Sequence, residues 1–422
     1  MPKTLTQKIL QKHSNDIVER DGQIVQCRVS LVLANDITAP LAIKSFHGMN
    51  AKRVFDKDKI ALIMDHFTPQ KDIDSANQVK TARAFAKEQN ITHYYEGGAC
   101  GVEHTFLPEQ GLVGPGDLVV GADSHTCTYG ALGAFATGMG STDIAAAMAL
   151  GETWFKVPPA IRVDYTGTMP RWLRSKDLIL MLISAVGVDG ALYKALEFGG
   201  PVIDRLPVEG RLTMANMAIE AGGKAGLFPV DELTRAYCAE HGRSGIDVSL
   251  TADKNAPYDQ VVAIDVTGRE PVVACPHLPS NVKPVSEVKN THIQQVIIGS
   301  CTNGRISDMR DAAELLRGRK VDKNVRCIVL PSTPTVWKQC LREGLIEIFM
   351  DAGCIVGPCT CGPCLGGHMG ILGDNERAVS TTNRNFKGRM GSLSSEVYLA
   401  GPVVAAASAV AGCVAGPEQI GA

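Results

Sequence analysis

The sequence predicts an α/β protein with mostly parallel sheets, divided into more than one domain. Short apolar runs closed by Gly, Asp, Ser or Pro alternate with stretches of helical periodicity, which is the rhythm of strands joined by crossover helices. Polar clusters with chemically active side chains stand directly after several of these runs, where open α/β sheets bind their ligands. The chain has 422 residues, against about 150 for an ordinary domain, so two or three domains are expected.

Taken in order, the apolar runs 60–64, 118–120, 295–298 and 327–330 read as buried strands. Between them, 75–89 sets Val79, Ala82 and Phe85 at helical spacing, and 142–155 opens on a capping Thr142 and reads as a second helix. Val157-Pro158-Pro159 interrupts the pattern, because proline continues neither element. Segment 271–291 carries Pro271, Pro276, Pro279 and Pro284 with little periodicity and reads as a linker. The expected organisation is a first α/β domain over 1–157, a second over 158–270, the linker, and a final α/β domain over 292–422. The Ala- and Gly-rich stretch 402–416 reads as a buried helix, being shorter than the ~18 residues needed to cross a bilayer.

Composition narrows the function classes. Hydrophobic residues make up 45% of the chain and charged residues 20%, the balance of a globular protein rather than a disordered or membrane-embedded one. A net charge of −2 leaves no footprint for a polyanion, so nucleic acid is not an expected partner. An anionic substrate would have to be held by local arginines. The first sixteen residues mix lysines and polar groups without the apolar centre of a signal peptide. Thirteen cysteines, an odd number in such a chain, argue against a disulfide framework and for a reducing cytoplasm.

Most of the cysteines are scattered, whereas Cys354, Cys359, Cys361 and Cys364 crowd together. Cys301 follows a predicted strand in Gly299-Ser300-Cys301-Thr302-Asn303, ahead of a helix expected near Ser307. A helix N-terminus lowers a thiol's pKa and suits ligation. Cys361 and Cys364 form a C-x-x-C turn shaped by Gly362 and Pro363. On the cysteines alone, an iron-sulfur cluster, a zinc site that adds Cys359, a thioredoxin-like redox pair and no metal at all remain open.

Seven motifs occur in one order: Met64-Asp65-His66, Gly101-Val102-Glu103-His104, Gly121-Ala122-Asp123-Ser124-His125-Thr126, Met214-Ala215-Asn216-Met217 with Glu220, Gly299-Ser300-Cys301-Thr302-Asn303, Cys361-Gly362-Pro363-Cys364, and Asn383-Arg384-Asn385-Phe386-Lys387-Gly388-Arg389. In this order they resemble the aconitase superfamily along nearly the whole chain, and specifically the large subunits of isopropylmalate dehydratases and homoaconitases. The resemblance implies three α/β domains packed around a [4Fe-4S] cluster held by Cys301, Cys361 and Cys364, with one iron left open to substrate. It leaves Cys359 outside the ligand set.

It further implies a hydro-lyase. His66, paired with Asp65, would protonate the leaving hydroxyl, and His104, Asp123 and His125 would continue the hydrogen-bonded shell. Asn216 and Glu220, four apart in a helical pattern, would face the cluster and its histidines. Asn303 and Asn383 would contact the cluster. Ser124, Arg384 and Arg389 would bind the substrate, the arginines through paired charge-assisted bonds to carboxylates. Asn35 is a candidate substrate contact, because it stands where relatives often carry Gln-Asp.

The implied substrate is a 2-hydroxy di- or tricarboxylate, 2-isopropylmalate first, with homocitrate, citramalate-type and dimethylmalate acids as alternatives. Single-chain relatives continue into a swivelling domain that carries a serine base and further arginines. The resemblance puts these on a separate small subunit, so activity is expected only with that partner, in the cytoplasm, without nucleic acid or membrane. An aconitase-like RNA-binding iron sensor and a redox carrier using Cys361 and Cys364 are the readings from other classes.

Overall fold

The computed structural model describes residues 1–422. Three larger sheets follow one another along the chain. The first is all parallel, in the spatial order His93–Tyr95, Ile60–Ile63, Leu31–Asn35, Leu118–Gly121, Phe135–Gly138. Its central strand Leu31–Asn35 is buried at every position, as a parallel strand covered on both faces must be. The helix Ile73–Gln89 packs Val79, Ala82, Phe85 and Ala86 as one buried stripe. Asp72 caps it by accepting from Ser75 N, and Asn90 ends it in the left-handed region at φ 53°.

The helix expected over 142–155 is shorter than the sequence predicts. It runs Ser141–Leu150, Gly151 turns the chain at φ 73°, and Glu152–Lys156 leaves as a strand. That strand pairs antiparallel with Ile24–Arg28. The β-branched and aromatic Thr153, Trp154 and Phe155 favour the pleat once glycine has broken the helix.

The second sheet is also parallel, in the order Ala225–Leu227, Ala195–Gly199, Ala160–Thr166, Gln260–Asp265. The third has seven strands, and here the segment read as a linker turns out to be part of a sheet. Val272–Ala274 pairs antiparallel with Val282–Pro284 and, through Ala274, with Leu399. Pro284 lies on the edge strand, where a missing N–H costs no ladder bond, and Pro276 and Pro279 lie in the intervening turn. The remaining strands Glu396–Leu399, Arg377–Ser380, Gln295–Gly299, Arg326–Leu330 and Ile355–Val356 are parallel.

One apolar core contains Ile161, Leu178 and Phe198 of the second unit together with Ile297, Leu330 and Leu399 of the third. One face of the first sheet, with Val32, Leu62 and Val120, packs in a core that also takes in Ala195, Ala225 and Leu227 of the second sheet, and its other face, with Leu33, Ile63 and Val119, packs in a smaller one. The Ala-rich stretch near the end forms the buried helix Pro402–Ala411. No helix is long and apolar enough to cross a membrane.

Candidate active site

Strand ends of the first and third sheets converge on one cavity of about 150 Å³. After Ile60–Ile63 the chain turns through Asp65 and His66, and buried Asp36 holds that turn by accepting from His66 N at 3.0 Å and Phe67 N at 2.8 Å. His66 Nδ1 lies 2.6 Å from Asp65 Oδ1. Burial alone would lower this imidazole's pKa, but the carboxylates of Asp65 and Asp36 outweigh it and hold the ring well above its ordinary value.

Two further imidazoles share Asp123. His104 Nε2 lies 2.9 Å from Asp123 Oδ1, and its Nδ1 3.0 Å from the Tyr129 hydroxyl. His125 donates its backbone N–H to the same carboxylate at 2.7 Å and sets Nε2 at 2.9 Å from Glu220 Oε1. Burial pushes His104 down, whereas His125 is raised because its bonds to Asp123 and Glu220 outweigh burial. Arg384 donates Nε to Glu220 Oε1 at 2.8 Å. Asn216 ends the helix Val208–Asn216 and Glu220 lies in the following 3-10 turn Met217–Ala221. Both are buried, at 0% and 4% exposure.

Cys301, Cys361 and Cys364 line the same cavity as His66, His104, His125, Arg384 and Arg389. Asn216 and Asn383 donate side-chain N–H groups to Cys301 Sγ at 3.3 and 3.4 Å, and Arg389 approaches Cys364 Sγ at 3.8 Å. The cysteine loop is pinned to the first sheet, because Cys361 N and the Thr360 hydroxyl both donate to Asp65 O, at 3.0 and 2.8 Å. Buried Arg305 donates to the carbonyls of Cys301 and Thr302, at 2.9 Å each.

Cys301 departs from the expectation of a lowered pKa. Ser300–Asn303 is a single helical turn with Cys301 inside it, and the longer helix starts only at Ile306. Burial, reinforced by the charge of Cys364, pushes the Cys301 thiol up to about 12. Cys364 is held well below the usual thiol value by the Cys361 hydrogen bond and the Arg389 guanidinium, against burial.

Four other candidates stand off this wall. Asn35 accepts at Oδ1 from Ile37 N, Thr38 N and the Thr38 hydroxyl, and donates Nδ2 to Glu103 at 3.0 Å. Its polar atoms are committed inside the protein, so it stands behind Glu103 instead of facing the cavity. Ser124 lines a neighbouring hollow of about 490 Å³ with Asp143 and Lys224. Asn303 donates to Asp308 at 2.9 Å, behind the Cys301 turn. Cys359 lines an outer hollow with Cys100 and Trp337, apart from the three converging cysteines. A larger hollow of about 400 Å³ at Trp172, Arg269 and Gln419 shares no residue with the cavity.

Sequence reasoning missed Asp36, Glu103, Arg305 and Lys176. Glu103 lies inside a motif, Arg305 two residues after one, and Asp36 next to the candidate Asn35, so proximity was a usable signal. Lys176 heads the apolar helix Ser175–Val186 and is fully buried, its Nζ donating to the carbonyls of Thr381 and Thr382 at 3.0 and 2.5 Å. Burial pulls its pKa down to about 8. A lysine in an apolar run gives no hint of that position.

The model of the aconitase family (aconitate hydratase) matches residues 7–412. The chain is 80% identical to the 3-isopropylmalate dehydratase large subunit of Desulfovibrio desulfuricans and 71% identical to that of Nitratidesulfovibrio vulgaris, covering 100% of each chain. At 56% identity it also matches, over the same full length, the protein of that name from Heliobacterium modesticaldum. Among solved structures, the holo-form of Thermococcus kodakaraensis aconitase X superposes with a TM-score of 0.52 over 88% of each chain at 12% identity, a likeness of fold alone. A match of this extent, on a chain whose cavity unites the motifs that first pointed that way, leads to one conclusion: the chain belongs to the aconitase family.

Proposed function

We propose that the chain is the large subunit of 3-isopropylmalate dehydratase, a cytoplasmic hydro-lyase of leucine biosynthesis that isomerises 2-isopropylmalate to 3-isopropylmalate by dehydration and rehydration. The observation that carries this reading is the 80% identity, over the full length of both chains, to a relative of that name. The cavity supports it, since it combines three cysteines, three imidazoles with carboxylate partners, and two arginines.

The donor set suits a [4Fe-4S] cluster held by Cys301, Cys361 and Cys364. Three sulfurs face one cavity, and the N–H groups of Asn216, Asn383 and Arg389 are aimed at them, the outer hydrogen bonding that thiolate ligands require. When bound, such a cluster supplies a Lewis-acidic iron with free positions for the substrate hydroxyl and carboxylate.

The chain's own residues do the rest. Asp65 engages Nδ1 of His66, which leaves Nε2 to give a proton to the departing hydroxyl. Asp123 orders His104 and His125 around that oxygen. Arg384, tied back through Nε to Glu220, keeps its two terminal nitrogens for a substrate carboxylate, and Arg389 adds a second cation. The words "large subunit" in the relatives' names imply a small-subunit partner, and to that partner this reading assigns the base for the carbon-bound proton and further arginines.

The test is co-expression with the small-subunit gene of the same genome, anaerobic purification, and alkene absorbance with 2-isopropylmalate, homocitrate, citramalate and 2,3-dimethylmalate in parallel. We expect turnover of 2-isopropylmalate by a complex holding about four irons per large subunit. Turnover of another acid alone would move the substrate assignment. No turnover by a complex with full iron would overturn the enzyme reading.

A further inference from the structure

Oε2 of Glu103, a buried polar atom of a cavity-lining residue, is left without a partner. Glu103 is 1% exposed, lines the cavity, and makes no hydrogen bond through Oε2. Its other oxygen is fixed from behind, since Oε1 accepts from Asn35 Nδ2 at 3.0 Å and lies 3.4 Å from His104 Nε2. The backbone N–H of Glu103 is tied to Asp65 Oδ2 at 2.7 Å. A carboxylate oxygen of Glu103, a ring nitrogen of His66 and a carboxylate oxygen of Asp123 all lie within 4.8 Å of one another. Glu103 therefore stands between the two carboxylate–imidazole pairs that flank the reacting hydroxyl.

An ionised carboxylate is poorly suited to that place. It would be desolvated with one oxygen bare, would face Asp65 and Asp123, and would repel an incoming dicarboxylate. Burial first, then those two carboxylates, push its pKa well above the ordinary range, against the opposing pull of His66 and the Asn35 bond. A neutral acid removes each conflict. With Oε1 engaged as the acceptor of the Asn35 amide, the proton belongs on Oε2, the oxygen that has no partner within the protein. A buried carboxylic acid held neutral is an effective donor to an anion.

We propose that Glu103 is a substrate-contacting residue that carries its proton and donates a hydrogen bond through Oε2 to a carboxylate oxygen of the bound 2-hydroxy acid. Asn35 then acts through it, as a positioning residue that holds Oε1. The inference rests on the proposed dehydratase reading.

The test uses the cluster-loaded complex with its small subunit, comparing the parent with E103Q and E103M on 2-isopropylmalate, with iron and sulfide content measured for each. We expect E103M to lower kcat/KM about 10- to 100-fold, chiefly through KM, the size of a lost hydrogen bond to a charged group. E103Q keeps a neutral donor and should recover most of that loss. Infrared difference spectra give a second measure that is independent of turnover. The parent should show a protonated-carboxyl band that E103Q lacks and that shifts when 2-isopropylmalate is added.

The proposal fails if E103M stays within about threefold of the parent, if E103Q loses as much as E103M, or if the carboxyl band is missing. Should E103M lose its cluster, E103Q and the infrared band decide alone. A parent complex that does not turn over 2-isopropylmalate overturns the functional reading, whereas a working parent with an unaffected E103M overturns this inference only.

Discussion

Replacing Glu220 by Gln removes the charge that orders two partners at once. Its Oε1 accepts from Arg384 Nε at 2.8 Å and lies 2.9 Å from His125 Nε2, on a side chain only 2% exposed. Bonds to a charged group contribute about 1.5–3 kcal/mol each and neutral ones about 0.5–1.5. Glutamine keeps one neutral acceptor, so the net loss is about 2.5–4.5 kcal/mol. That loss falls on the substrate because Arg384 is anchored to the protein only through Nε; once released, its guanidinium no longer waits in the geometry a carboxylate needs. At about 1.4 kcal/mol per tenfold, we expect kcat/KM to fall at least about 30-fold, with KM moving more than kcat. The assay is alkene absorbance by the anaerobic complex, corrected for bound iron. R384K, which keeps the charge but loses the planar fork, should fall by a comparable factor. If E220Q stays within about threefold of the parent while R384K collapses, Glu220 does not orient Arg384.

Three other outcomes follow from the same geometry. K176M removes a fully buried ammonium and leaves the Thr381 and Thr382 carbonyls beside Asn383 bare; iron retained after desalting should drop by about half or more, and undiminished iron would show that Lys176 does not support the cysteine site. G130A places a Cβ 2.1 Å from the Gly226 carbonyl, where the His125-bearing turn Ser124–Leu132 meets the second sheet. We expect a loss of about 1–3 kcal/mol, read as a lower urea midpoint; an unchanged midpoint contradicts the close packing. Glu109 has its carboxyl pushed from 4.5 up to about 7 by burial, against the Thr333 hydrogen bond. Because its folded value lies above its unfolded one, the stability it contributes is full below about pH 4.5 and lost as pH rises through about 7. Between about pH 5 and pH 8 the parent should lose more stability than E109Q, and parallel urea midpoints for the two would refute the shift.

How much of this could be read from the residues alone follows from how each element is buried. The strands Ile60–Ile63, Leu118–Gly121 and Gln295–Gly299 are covered on both faces, so each is a continuous apolar run. Glu152–Lys156 buries only Phe155 fully, and the 272–284 hairpin is short and proline-bearing. Pairing partners far along the chain stabilise both, and no local pattern announces them.

The alternation of apolar runs and helical stretches determined the fold class, and the motifs determined the family resemblance and the chemical groups to look for: Asp65 and His66, the three cysteines, the arginine loop. Tertiary structure decided which of those groups meet. It put Asp65 O on the cysteine loop and Asn383 on Asn216. It withdrew Asn35 and Asn303 behind the wall, and it brought Glu103, Asp36, Arg305 and Lys176 into play. The physical reason is that a side chain's charge state and direction depend on desolvation and on hydrogen-bond partners that are distant in sequence. These exist only once the sheets have packed together.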